Sequence, residues 1–158
     1  MSVKSVVITV LLAANMLLAT PASVAMESIM VHNANARATF ALATTAAVYL
    51  TVMNHGDSPT VLEGVSVSSD VASQAQIHTT VMDGDMMKMR QVTDGIDITP
   101  DAMVEFKPGG YHIMLMGLVN PLEEGNSFSL TLHFDNQADT TVMVTVGEAA
   151  KGSAHQHH

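Results

Sequence analysis

Hydrophobic and polar residues alternate in short stretches along the chain, most regularly near its C-terminal end. Residues 127–134 alternate between large apolar side chains and serine, threonine or histidine, and residues 142–146 place a valine at every second position. A period of two indicates strands that bury one face. Residues after position 25 contain no long amphipathic helix pattern, so the chain is expected to be built from strands.

Other stretches rich in β-forming residues precede these two and are separated by turn residues. They cover residues 47–53, 61–67, 74–81, 86–92, 103–107 and 111–116. Turn signals such as Asp83-Gly84, Pro108-Gly109-Gly110 and Gly125-Asn126 lie between them. Seven to nine short strands with close turns are typical of an antiparallel sandwich or Greek-key barrel. We predict one such all-β domain over residues 26–147.

The first 25 residues have a different pattern. Lys4 precedes an apolar run from Val6 to Leu18, and Ser23-Val24-Ala25 supplies a small-x-small triplet. This order is typical of a secretory signal peptide, and we expect cleavage after Ala25 and export. A retained membrane anchor is the alternative, although the run is shorter than the roughly 20 apolar residues that a membrane span needs. After cleavage we expect no stable membrane insertion.

Composition excludes several classes of function. Fifteen acidic residues against six basic ones give a formal net charge of −9, which argues against nucleic acid as a partner. The chain has no cysteine, which excludes disulfides, thiol chemistry, cysteine–zinc sites and the His₂Cys blue-copper centre. A metal site must therefore use histidine, methionine, aspartate or glutamate.

Methionine is abundant, with 13 residues, and several lie around one predicted hairpin. If Asp83-Gly84 forms its two-residue loop, residue 82 pairs with 85 and His78 lies directly opposite Met89. Opposed residues point to the same face with their Cβ atoms about 5 Å apart. The hairpin would therefore place an imidazole beside a thioether, while Ile77 faces the core. The alternative is that the methionines only fill gaps in the core.

A second histidine–methionine pair follows in His112-Ile113-Met114. Residues two apart on a strand share a face and lie roughly 6.6 Å apart. His112 and Met114 are therefore expected to project together, away from the face that buries Ile113. The two pairs form one site if their strands approach each other. Thioethers select Cu(I), whereas zinc hydrolases pair histidine with carboxylate or water and calcium sites are built from oxygen ligands.

At these residues the sequence resembles PCuAC, a family of periplasmic copper chaperones. Its signature is a histidine, ten residues, a methionine, about twenty-one residues and then His-x-Met. Ten residues separate His78 from Met89, and 22 separate Met89 from His112. We place the extra residue in the turn at 92–95, where an insertion is tolerated. Two flanking segments are also similar to that family's sequences: Met86-Met87-Lys88-Met89-Arg90 and Lys107-Pro108-Gly109-Gly110-Tyr111-His112.

The resemblance implies a cupredoxin-like sandwich that binds one Cu(I) through His78, Met89, His112 and Met114. It further implies a periplasmic, monomeric metallochaperone that is not an enzyme. Its partner would be an apo copper-accepting subunit of cytochrome oxidase or another copper chaperone. Three alternatives remain open: a copper buffer or resistance protein without a dedicated acceptor, a copper enzyme, and an interaction domain without metal.

Other histidines and methionines are weaker candidates. Met87 shares the predicted ligand face and is the best auxiliary ligand. The predicted flexible tail, residues 148–158, ends in His155, His157 and His158, which form a candidate secondary site for a second copper, Cu(II). His133 is expected at the surface. His32 and His55 have no second metal-binding residue at a spacing that would suggest a site.

Overall fold

The structure is a computed structural model that describes residues 28–148. That range contains ten strands and no helix, and thus no helix that could cross a membrane. The predicted signal peptide (1–25) and the tail histidines lie outside it. The strands are β1 (Ile29–Arg37), β2 (Thr45–Asn54), β3 (Thr60–Val67), β4 (Ala72–Asp83), β5 (Met86–Gln91), β6 (Ile96–Ile98), β7 (Met103–Phe106), β8 (His112–Leu118), β9 (Ser127–Phe134) and β10 (Thr140–Gly147).

The strands are hydrogen-bonded in the order β5-β4-β8-β2-β1-β10-β9-β3-β6, and β7 pairs with β2. All these pairs are antiparallel except β1 with β10, which is parallel. Buried side chains from every strand except β5 form a single hydrophobic core. The sheet therefore curls around one core, and the predicted all-β, cupredoxin-like fold is confirmed.

The alternating stretches bury the residues that the pattern indicated. Phe128, Leu130, Leu132 and Phe134 on β9 are all buried, and the residues between them are not. Val144 and Val146 on β10 join the same core. Burying side chains of this size contributes about 1.5–3 kcal/mol each relative to exposure, so the alternating strands are a main source of stability.

Two strands were not predicted, and both lack a clear alternation. Strand β1 contains a break in register between His32 and Asn35, where Asn33 has a φ of 54°. This irregularity interrupts the period-two pattern. Strand β6 has only three residues, Ile96–Ile98, which is too short for a period to be recognised.

The β4–β5 hairpin differs from the predicted one in its register. Asp83 pairs with Met86, so the loop residues are Gly84 and Asp85, and His78 lies opposite Gln91 rather than Met89. Gly84 has a φ of +63° in the first loop position, as a type II′ turn requires. Because the register moves by two residues, every side chain keeps its predicted face. Met89 lies opposite Thr80 and on the same face as His78.

Asn54 anchors the end of β2 from inside the protein. Its side chain is fully buried, and its amide nitrogen donates to the carbonyl oxygens of Ser58 (2.9 Å) and Ile98 (3.0 Å). Its side-chain oxygen accepts a hydrogen bond from the backbone N–H of Gly56 at 2.9 Å. The amide thus ties the β2–β3 connection to β6 and satisfies its own polar atoms.

We expect Asn54→Ala to lower the free energy of unfolding by about 2–4 kcal/mol, because it removes three hydrogen bonds, of which the one to the Ile98 carbonyl is buried. Denaturant unfolding followed by circular dichroism measures the change. Asn126→Ala, whose exposed side chain makes one long contact to Glu123, is the control and should change stability little. Equal effects of the two substitutions would contradict this assignment.

Candidate metal centre

The pairing of β4 with β8 brings the two predicted histidine ligands together. Ile77 pairs with Ile113, and both face the core with exposures of 3% and 0%. The next pair is His78 with His112, on the other face of the sheet. Their ring centroids lie 5.9 Å apart and the rings are tilted by 55°. The two imidazoles are therefore close enough for a single ion to bridge neighbouring ring nitrogens.

The two predicted methionine ligands line one pocket with His112. This pocket of about 180 Å³ is bounded by Met89, His112 and Met114, together with Ala47, Tyr49, Thr80, Pro108 and Gly109. Met114 on β8 pairs directly with Ala47 on the neighbouring strand β2. The lining contains two thioethers and no carboxylate, which is the donor set that Cu(I) prefers.

His112 is oriented by the turn that precedes β8. Its Nδ1 lies 3.1 Å from the carbonyl oxygen of Gly110, and only an N–H can bond to that acceptor, so Nδ1 carries the proton. Gly109, at a φ of +81°, permits this tight turn, which Gly110 N–H closes on Lys107 O. A hydrogen bond from one ring nitrogen to a backbone carbonyl is the usual way in which a metal-binding histidine is held.

The other ring nitrogen of His112 is buried without a partner. Of all the buried side-chain nitrogen and oxygen atoms in residues 28–148, His112 Nε2 alone lacks a hydrogen bond. The His112 side chain is only 4% exposed. Leaving such an atom unpaired costs about 1–3 kcal/mol. In the neutral ring with its proton on Nδ1, Nε2 presents the lone pair that a metal ion requires.

His78 is also held in a form that suits metal binding. Its Nε2 is 3.1 Å from the side-chain oxygen of Gln76, two residues away on β4. Burial, and then the neighbouring His112, lower the pKa of His78. Both effects favour the neutral imidazole, which is the metal-binding form. With Nε2 donating to Gln76, Nδ1 is the nitrogen left for a ligand.

The four predicted ligands differ in exposure more than the sequence indicated. His112 lies on the face opposite Ile113, as expected, but the walls of the pocket cover it and leave it only 4% exposed. Met114 is half-buried, whereas Met89 on the edge strand is 63% exposed. The site therefore has a buried imidazole at its base and an exposed thioether at its rim.

The weaker candidates lie elsewhere. Met87 shares the face of Met89 but pairs with Met82, one pair further from the histidines. His133 has partners at both ring nitrogens, Ser66 Oγ at 2.7 Å and Asp139 Oδ2 at 2.8 Å, so it offers no free lone pair. His32 and His55 are exposed. The tail residues His155, His157 and His158 lie outside the described range, and a second copper there stays a prediction.

A family model described as "Putative lipoprotein LpqE-like" matches residues 29–146. The chain belongs to the LpqE-like family. Curated relatives include "Putative lipoprotein Lxx21020" of Leifsonia xyli, 37% identical over 95 residues, and "Uncharacterized protein RP573" of Rickettsia prowazekii, 35% identical over 100 residues. These matches cover 60% and 63% of this chain, which spans about half of each relative, 56% and 54%.

This LpqE-like chain is also similar to solved PCuAC domains. The copper-bound PCuAC domain from PmoF2 is 26% identical, with a TM-score of 0.61 over 77% of this chain and 93% of that domain. The Cu(I) form of DR1885 from Deinococcus radiodurans is 27% identical, with a TM-score of 0.61 over 79% of this chain and 81% of that protein. The resemblance found in the sequence thus extends to the fold, and copper-bound forms are among the similar structures.

We expect His112→Leu to change the free energy of unfolding of the apo protein by no more than about 1 kcal/mol, because removing the unpaired Nε2 offsets the loss of the hydrogen bond from Nδ1 to the Gly110 carbonyl. The same variant should lose any stabilisation by Cu(I). Thermal unfolding with and without Cu(I) under reducing conditions measures both. His133→Leu removes a histidine with two partners and should keep the response to copper. A marked loss of apo stability in His112→Leu would show that the imidazole serves packing.

Proposed function

We propose that this chain is a Cu(I)-binding metallochaperone that holds one ion through His78, Met89, His112 and Met114. The observation that carries the proposal is the buried Nε2 of His112, which has a lone pair and no hydrogen-bond partner. Leaving this buried atom unpaired lowers stability unless a ligand completes its contacts. An ion bound at Nε2 supplies the missing partner.

The neighbouring donors identify the ion. His78 lies 5.9 Å from His112 between ring centroids, and the thioethers of Met89 and Met114 line the same pocket as His112. Two imidazoles and two thioethers suit a soft monovalent ion, whereas thioethers are not among the usual ligands of Zn²⁺, and Ca²⁺ takes oxygen ligands. Four protein ligands also leave no open position for a substrate, which favours carriage over catalysis.

The location and the partner that we propose are based on the similarity of this chain to its relatives. A relative named as a lipoprotein, and the lipoprotein description of the family, support a place outside the cytoplasm, and we propose the periplasm. The acceptor we propose is the apo copper-site subunit of cytochrome oxidase, or a second chaperone that serves it. The acidic net charge of −9 suits an acceptor with a basic docking face.

A copper buffer without a dedicated acceptor is the competing function, because it would use the same ligands. Transfer of copper to an acceptor protein distinguishes a chaperone from a buffer. Copper-loaded protein mixed with an apo oxidase copper-site subunit should lose its copper much faster than it does to buffer alone. Transfer no faster than spontaneous release would favour buffering, and the ligand assignment would be unaffected.

Two methionines of β5 provide a matched test of the ligand set. Met89 and Met86 are almost equally exposed, at 63% and 62%, but lie on opposite faces of the hairpin. We expect Met89→Leu to weaken Cu(I) binding about tenfold or more, equivalent to about 1.4 kcal/mol. Met86→Leu should leave the affinity unchanged. Anaerobic titration against a competing Cu(I) chelator measures both, and equal affinities would remove Met89 from the site.

X-ray absorption at the copper edge tests the donor atoms directly. The loaded wild-type protein should contain one Cu(I) with both nitrogen and sulfur scatterers. His112→Leu should lose that species. Weak binding, or nitrogen scattering alone that disappears when residues 155–158 are removed, would show that copper binds the tail and not the pocket.

A further inference from the structure

The β4–β5 hairpin carries a second group of thioethers outside the pocket. Met82 on β4 pairs directly with Met87 on β5, and both side chains are 65% exposed. Cβ atoms of directly opposed residues lie about 5 Å apart on the same face. The two thioethers can therefore approach one ion together.

This methionine pair lies in line with the proposed copper site. The neighbouring pair on the same face is Thr80 with Met89, and Met89 lines the pocket that contains His112. Residues two apart on a strand are separated by roughly 6.6 Å, and methionine has three rotatable bonds with which to shorten that gap. Met82, Met87 and Met89 thus form a short row of thioethers that ends at the pocket.

The hairpin extends beyond the strand that holds His112. Pairing of β4 with β8 runs from Ala72–Leu118 to His78–His112, whereas pairing with β5 runs from His78–Gln91 to Asp83–Met86. Residues 79–90 therefore form a two-stranded arm at the edge of the sheet. A ribbon of two strands is marginally stable by itself, so the arm can adjust its position over the pocket more readily than the sheet can.

The methionines of the arm are not explained by packing or by protection of the edge, a role that Lys88 and Arg90 fill on the other face. All six residues of β5 are exposed, and three of them are methionine. Edge strands are usually protected by charged side chains or proline, not by exposed apolar ones. The arm's ion pair, Lys88 with Asp83, lies on the opposite face from Met82 and Met87. The thioether face is thus left free of charge and open to solvent.

We propose that Met82 and Met87, with Met89, form an outer Cu(I) relay through which the ion enters and leaves the pocket. The inference rests on the proposed function. The ion stays Cu(I) throughout: a bond to a Met82 or Met87 sulfur forms as the donor's ligand leaves, and is then replaced by bonds to Met89 and the pocket ligands. The thioethers are neutral in both steps, so no proton or electron is transferred.

The double variant Met82→Leu/Met87→Leu tests the relay, with Met86→Leu as the control on the other face of the same arm. Leucine is close to methionine in volume, so folding is expected to be retained, and circular dichroism checks it. We expect the double variant to keep the equilibrium Cu(I) affinity of the wild type but to take up Cu(I) from a Cu(I)–chelator complex several-fold more slowly. Stopped-flow absorbance of the chelator follows uptake, and Met86→Leu should match the wild type.

Methionine methyl resonances provide a second readout. In the His112→Leu variant, Cu(I) should shift the ε-methyl signals of Met82 and Met87 but leave that of Met86 in place. Unchanged uptake rates in the double variant would overturn the relay, as would a loss of affinity large enough to make Met82 or Met87 a ligand of the main site. A wild-type protein that does not bind Cu(I) would instead overturn the proposed function itself.

Discussion

The pairing of β4 with β8 is the constraint on which the rest of the site depends. Two adjacent residue pairs serve opposite faces: Ile77 and Ile113 are buried in the core, and His78 and His112 lie side by side on the other face. The isoleucines make a slip in register costly, because a slip by one residue would expose them and bury the imidazoles in the core. Hydrophobic burial thus holds the two candidate ligands at a defined spacing.

Around this pair, the site combines a buried part and an exposed part. His112 is held by a buried environment and by the Gly110 carbonyl, and it depends on the turn at Pro108-Gly109-Gly110. Met89 instead lies on an exposed edge strand, in an arm that extends beyond β8. A carrier must bind its ion firmly and also release it to a partner. A buried nitrogen ligand with exposed thioethers at the rim suits both requirements.

Much of this arrangement can be predicted from the sequence. Alternation identified β9 and β10, and the period of two assigned His78, Met89, His112 and Met114 to the face opposite the core. The predicted register of the hairpin was wrong by two residues, because Gly84 occupies the first loop position instead of the second. The assignment of faces survived because an even shift preserves it. The strands β1 and β6 were missed, since a bulge and a length of three residues leave no period to detect.

The fold class, the soft character of the candidate ligands and the faces on which they lie could all be predicted from the amino-acid sequence, because they follow from residue type and from the local geometry of strands. The folded structure was needed to show that β4 and β8 are neighbours, that His112 is buried with an unpaired Nε2, and that Met82 opposes Met87. Strand order and burial arise from contacts between segments far apart in the chain, which no local pattern predicts. The register of the hairpin depends on which of two overlapping loops closes it, Asp83-Gly84 or Gly84-Asp85.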